Sequence, residues 1–185
     1  GSGLNSTARR GGEGGSIVIN ADALTMSGGA VADTSTEAAG DAGSIVINLS
    51  GGFVLTGEGT QLASQSSDAG LGGSISVAAD TVQFLDQGVL SVTSSGEGDA
   101  GNISLTALNR LHIFDGAEVQ TNAEVSGGGN ITVNVIGTIY LRDATLTASA
   151  GGSETGDNGG NIFIDPIFLI LDNASIVAQA FAGNG

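Results

Sequence analysis

The 185-residue chain has no cysteine, no lysine and no tryptophan, and its only proline is Pro166. Without cysteine, no disulfide staples the fold. Four arginines stand against 19 acids, for a formal net charge of −15. Such a chain repels nucleic-acid phosphates and anionic membrane surfaces, which require a basic footprint. No apolar run reaches the length of a membrane span; the longest, around Ile167 to Leu171, is far too short. No secretory signal is visible at Gly1-Ser2-Gly3. Aromatic residues make up only 4% of a chain that is 40% hydrophobic, so its core must be Ile, Val, Leu and Ala. Its 33 glycines do not follow the every-third-residue register of collagen.

What the chain does have is repetition. Gly15-Ser16-Ile17-Val18-Ile19 returns as Gly43-Ser44-Ile45-Val46-Ile47, Gly73-Ser74-Ile75-Ser76-Val77, Gly101-Asn102-Ile103-Ser104-Leu105, Gly129-Asn130-Ile131-Thr132-Val133 and Gly160-Asn161-Ile162-Phe163-Ile164. Repeats of roughly 20–50 residues signal stacked architectures, and the anchor isoleucines here recur every 28–31 positions. A second apolar pair follows each anchor: Leu24/Met26, Phe53/Leu55, Val82/Phe84, Leu111/Ile113, Ile139/Leu141 and Phe168/Ile170. A third position closes each unit at Ala32, Leu62, Leu90, Val119, Leu146 and Ile176. Each pair alternates with period two, as a strand with one buried face does. The reading is an all-β, right-handed parallel β-helix of about six coils, with three short strands per coil. Residues 1–14 are set apart as an N-terminal segment, a processed end or tag remnant, and 15–185 form one solenoid.

In that fold the residue before each anchor (Ser16, Ser44, Ser74, Asn102, Asn130, Asn161) forms a polar ladder at one corner. The segments before each anchor glycine, 34–42, 64–72, 94–100, 122–128 and 150–159, emerge together on one side. Grouped loops of this kind are often a repeat protein's binding face. Acids crowd them, and Glu97/Asp99 and Glu154/Asp157 are the candidate pairs for Ca²⁺, whose ligands are oxygens. Neither the nonapeptide calcium repeat nor an EF-hand spacing is present. Apart from calcium, no cofactor is expected.

No catalytic residue emerges. His112 lies between inward Leu111 and Ile113, so it points outward between Gln83 and Tyr140, without an acid in its column. Counted back from the third strand, Arg142 falls between Asp115 and Asp172, a surface charge ladder. Polysaccharide cleavage would call for clustered acids, or calcium with a basic residue, in one groove. Arg110 and Arg142 instead lie on different coils, and no sugar-stacking platform is evident. Ice binding would require regular outward threonine ladders, which are missing. The outward set of the last coil, read as Phe163, Leu169 and Leu171, is apolar and marks a candidate interface.

Units of Gly-Gly-Asn-Ile-x-Ile, Leu-x-Leu and Gly-Ala-x-Ile-x-Ala resemble the repeats of filamentous-haemagglutinin-like bacterial exoproteins. Gly159-Gly160-Asn161-Ile162-Phe163-Ile164, Asp115 to Thr121 and Asp172 to Ala178 carry the resemblance, which covers residues 11–185. It implies an extracellular or cell-surface protein, secreted through an outer-membrane β-barrel partner, that serves as adhesin, fibre or stalk. The family's secretion domain, with its Asn-Pro-Asn-Gly-type motifs, has no counterpart in this sequence. The resulting expectation is a structural shaft, continued by flanking coils of a longer exoprotein or self-associating end to end into a filament. A ligand-binding adhesin module using the loops is the alternative.

Overall fold

The period-two apolar pairs become strands whose inward side chains stack on their counterparts one coil away. The structure is a computed structural model, and residues 2–9, 12–37, 39–152 and 158–181 are described. Its strands are β1 (Gly3–Asn5), β2 (Ile17–Ala21), β3 (Leu24–Met26), β4 (Val31–Asp33), β5 (Ile45–Leu49), β6 (Gly52–Thr56), β7 (Gln61–Ser66) and β8 (Ile75–Leu85). They continue as β9 (Val89–Ser94), β10 (Ile103–Phe114), β11 (Glu118–Ala123), β12 (Ile131–Arg142), β13 (Thr145–Ala150), β14 (Ile162–Asp172) and β15 (Ser175–Ala180). All pairings between named strands are parallel and join successive coils. No described residue is helical. The chain is a β-solenoid of about six coils. At about 4.8 Å per coil they make a rod roughly 29 Å long.

Two sheets run the length of the rod. One is the seven-strand ladder β1-β4-β7-β9-β11-β13-β15; the other is built on β14-β12-β10-β8-β5-β2, with β3 and β6 alongside. Only the first two coils keep three separate strands. From β8 onward the first two strands of each coil run on as one strand of 11 or 12 residues, bent at register shifts such as those after Ala107 and Val135. The segment before Gly15 also joins the stack, with Leu4 in register with Ala32.

The core is one column-built cluster. Ile45, Ile75, Ile103 and Ile131 stack in one column, and Leu62, Leu90, Val119 and Leu146 in another, all buried. Each such side chain contributes roughly 1.5–3 kcal/mol of hydrophobic stabilisation. Phe53 and Phe84 meet edge-to-face within it, ring centroids 5.8 Å apart. The anchor glycines have a steric reason. A Cβ at Gly73, Gly101 or Gly129 would lie closer than 3.0 Å to the carbonyl oxygen of the anchor glycine one coil earlier, a separation real Cβ atoms do not show.

The corner before the seven-strand sheet explains the aspartates. Asp86, Asp115, Asp143 and Asn173 occupy it with φ between +49° and +58°. Short polar side chains tolerate this left-handed conformation better than other non-glycine residues. In the fifth coil this turn is one residue shorter, Asp143-Ala144 replacing Asp115-Gly116-Ala117. Counting back a fixed number from Leu146 therefore reaches Arg142 instead of Asp143. The expected Asp115–Arg142–Asp172 column is corrected accordingly: Arg142 is in register with Phe114 and Asp172.

The last coil requires a second correction. The inward partners of Ile139 and Leu141 are Leu169 and Leu171, while Thr138 and Tyr140 face Phe168 and Ile170. Leu169 and Leu171 thus belong to the core columns, and Phe168 and Ile170 point outward, the reverse of the sequence reading. All five residues from Ile167 to Leu171 are apolar, so alternation cannot discriminate the two registers. The register shift between Val135 and Thr138, opposite Pro166, decides it.

Candidate functional site

Three features of the rod bear on function: the acid-rich loop edge, the outer face of the long bent strands, and the last coil. At the loop edge, the strands extend further than the sequence suggested. β7 runs to Ser66 and β9 to Ser94, so two segments begin as buried strand at Ser64, Ser66 and Ser94, and Thr34, just past β4, is interior as well. Thr34 and Ser64 hydroxyls both donate to the Gly43 carbonyl, at 3.0 and 2.8 Å, and Thr121 donates to that of Gly129 at 2.9 Å. The turns themselves stack through backbone hydrogen bonds, with Ala42 N–H donating to Leu71, Gly72 to Asp99 and Ala100 to Gly127.

The loop acids are partly used up by this stacking. The Asp99 carboxylate accepts the Gly127 N–H at 2.9 Å, and Asp41 accepts the Leu71 N–H at 2.8 Å. Asp99 therefore ties one coil to the next. Glu97 is exposed. Glu154 and Asp157, the other calcium candidates, lie outside the described residues. Among the described residues no group of three or more His, Cys, Asp or Glu side chains gathers as a metal site would.

The anchor corner carries the polar ladder. Asn130 Nδ2 donates to Asn102 Oδ1 at 3.1 Å, and Asn161 Nδ2 donates to Asn130 Oδ1 at 3.0 Å. The same oxygens accept the backbone N–H of Asn130 and Asn161.

The outer face collects residues that the sequence scatters. β10 presents Arg110, His112 and Phe114, and β12 presents Thr138, Tyr140 and Arg142 directly beside them. His112 stacks on Phe114 at 4.8 Å and 19°, and Phe114 meets Tyr140 edge-on at 4.9 Å. The Arg142 guanidinium lies 4.6 Å over the Phe114 ring and bonds both Asp115 carboxylate oxygens, at 2.8 and 3.0 Å. Those bonds raise its pKa. Asp172 accepts instead from the Tyr140 hydroxyl, at 3.2 Å. Burial, followed by the charge of Arg110, lowers the His112 pKa. The sequence reading set His112 beside Tyr140; it did not show that Phe114, on the same strand as His112, and Arg142 complete the group.

Of the three expected interface residues, Phe163 points outward and is exposed, as anticipated. Leu169 and Leu171 are exposed for another reason: they occupy core columns in the last described layer, with a neighbour on one side only. Ile162, Ile164 and Ile176 share that position and are half-buried. Sequence reasoning missed Ile167, Phe168 and Ile170, all exposed. No protein-family model matches this chain, and neither do curated proteins or solved structures.

Proposed function

We propose that this protein is a structural β-solenoid, a shaft or fibre segment of a bacterial surface adhesin or appendage, which works by extension and display and not by catalysis. The observation that carries the reading is the stacking itself: every pairing between named strands is parallel and joins one coil to the next, a repeated cross-section that builds length. Leu169 and Leu171 sit in core columns at 44% and 49% exposure, whereas Ile139 and Leu141 one layer below are at 1%. An apolar layer with unpaired strand edges is a template for another strand layer. Flanking coils of a longer exoprotein would cover it, or a second copy stacked end to end. A head-to-tail contact of the latter kind does not close and gives a filament.

The resemblance to filamentous-haemagglutinin-like exoproteins supports an extracellular location and secretion through an outer-membrane partner. The alternative, ligand capture by the loops with calcium, is weakened by the coil-to-coil hydrogen bond of Asp99. Negative-stain electron microscopy with and without calcium tests the proposal. Thin fibres far longer than one rod support the filament subunit, and rods that pair with supplied flanking coils support the shaft segment. Isolated globular particles with neither behaviour would sink both, and calcium-dependent fibres would restore a role for the loop acids.

A further inference from the structure

The corner at which the long strands bend gathers polar groups from three successive coils. Arg110 on β10 is in register with Thr81 on β8 and with Thr138 on β12. With Asp80, Asn109 and His112 these residues line a groove of about 550 Å³ on the outer face. The strand turns here, where the pairing of β10 with β8 shifts between Ala107 and Arg110. Gly137 keeps the corner open. A Cβ there would collide with the Asn109 carbonyl oxygen, so no side chain stands over Asn109 from the next coil. A concavity of this volume with a few convergent polar groups has the character of a small-ligand site.

Each group in the groove has a definite hydrogen-bonding character. The Arg110 guanidinium is exposed, and neither of the two ion pairs among the described residues involves it. Asp80 accepts from the Asn109 amide through Oδ1, which leaves its other oxygen for a ligand hydroxyl. Thr81 and Thr138 place a hydroxyl on either side of Arg110. His112 stacks on Phe114 with one face, so only its opposite face can meet a ligand lying in the groove. Burial, followed by the charge of Arg110, lowers its pKa. The neutral imidazole that results both donates and accepts.

A free guanidinium calls for a carboxylate, which it holds through two parallel hydrogen bonds. The hydroxyls, the amide and the spare carboxylate oxygen call for a ligand rich in hydroxyls, and a flat imidazole face suits the apolar face of a ring. A second anionic charge on the ligand would be opposed by Asp80 and by a chain of net charge −15. We infer that this groove binds a hexuronate, a sugar acid whose single carboxylate sits on Arg110 and whose ring hydroxyls reach Thr81, Thr138, Asn109 and Asp80. The site lies away from the acid-rich loop edge and adds lateral ligand capture to a rod that otherwise serves extension. It is built on the interior coils of β8, β10 and β12, so it stands or falls independently of what covers the end layer.

Two-dimensional amide NMR titration of the whole chain tests the site, with D-galacturonate and D-glucuronate as probes. Shifts centred on Asp80, Thr81, Asn109, Arg110, His112 and Thr138 are expected, at roughly millimolar affinity because the groove is open. The methyl ester of either acid keeps every ring hydroxyl and loses the charge, and it should bind about tenfold more weakly or worse. Acetate keeps the charge and loses the hydroxyls, and should be weaker as well. These comparisons need no variant. R110Q abolishes the preference for acid over ester, whereas T81V/T138V weakens acid and ester alike, and unchanged spectra elsewhere show that each variant is folded. Four outcomes each overturn the site: no saturable shift with either acid up to about 50 mM, ester and acid binding equally to the wild type, a preference that survives R110Q, or acetate or phosphate binding as tightly as the sugar acid.

Discussion

The middle coils and the last coil contain the same repeat, yet the same positions have opposite surroundings. Leu141 is at 1% exposure and its successor Leu171 is at 49%. Nothing in the residue itself differs; what differs is whether a layer lies on both sides. In a solenoid, stability is approximately a sum of each repeat's own contribution and its contacts with nearest neighbours. Burial is therefore a property of the stack, and an end layer is unfinished core. Interior and end-layer variants are the means of testing that.

The largest contrast is expected at the glycine spine. Gly101→Ala drives a Cβ against the backbone of Gly73, Gly72 and their neighbours, with coils on both sides preventing relief. A loss of about 4 kcal/mol or more, or failure to fold cooperatively, is expected. Gly15→Ala, near the other end, meets only the Ser6 side chain, which can rotate away. It should cost about 1 kcal/mol or less. Urea unfolding of the two variants decides the matter, and equal effects would break the comparison.

Next comes the core column itself. Leu111→Ala removes a side chain packed between coils and is expected to cost about 2–4 kcal/mol. Leu171→Ala removes a chemically equal side chain from the open layer and should cost well under half as much in dilute solution. The gap narrows wherever that layer is covered. Denaturation at rising protein concentration would reveal such closure as a selective stabilisation of the wild type over L171A. A smaller effect is expected from Asn130→Ala, which breaks the amide ladder at its middle member. These bonds are exposed, so about 1 kcal/mol is at stake. Replacing Asn161, the outermost described member, removes bonds on one side only and should cost less.

Much of the fold was legible because one motif repeats six times, five of them with the same steric cause. Glycine before Ser/Asn-Ile marks a backbone approach that admits no side chain, and alternation marks the inward columns. Legibility failed where spacing varied by one residue. The shortened turn at Asp143-Ala144 displaced Arg142 from the expected column, and the run from Ile167 to Leu171 is apolar in either register. Only the hydrogen-bonded register fixes which face each residue takes. The outer face was legible in part: stepping by one coil sets His112 between Gln83 and Tyr140, but the shortened turn hid that Arg142 follows Phe114. Its signal was available in the near-constant 28–31 residue step, which places Arg110 beside Thr138 once the coils are aligned.

The smallest expected effect concerns that face and a proton. Burial, aided by Arg110, holds the His112 pKa in the folded chain below its ordinary value near 6.5. Below that ordinary value the unfolded chain takes up the proton first, so folding stability falls as pH drops from about 6.5 through the folded-state pKa. No such contribution changes at higher pH. The imidazole is half-buried, so the slope is slight, and it is best read between about pH 7.5 and 5.5, above most carboxylate titration. H112Q should flatten that segment of the stability curve. R110Q, which removes the nearby charge but leaves the burial, should reduce the slope without abolishing it, because burial is the larger cause. If R110Q instead abolished the slope, charge and not packing would govern this face, and the contrast between buried and open layers would not extend to it.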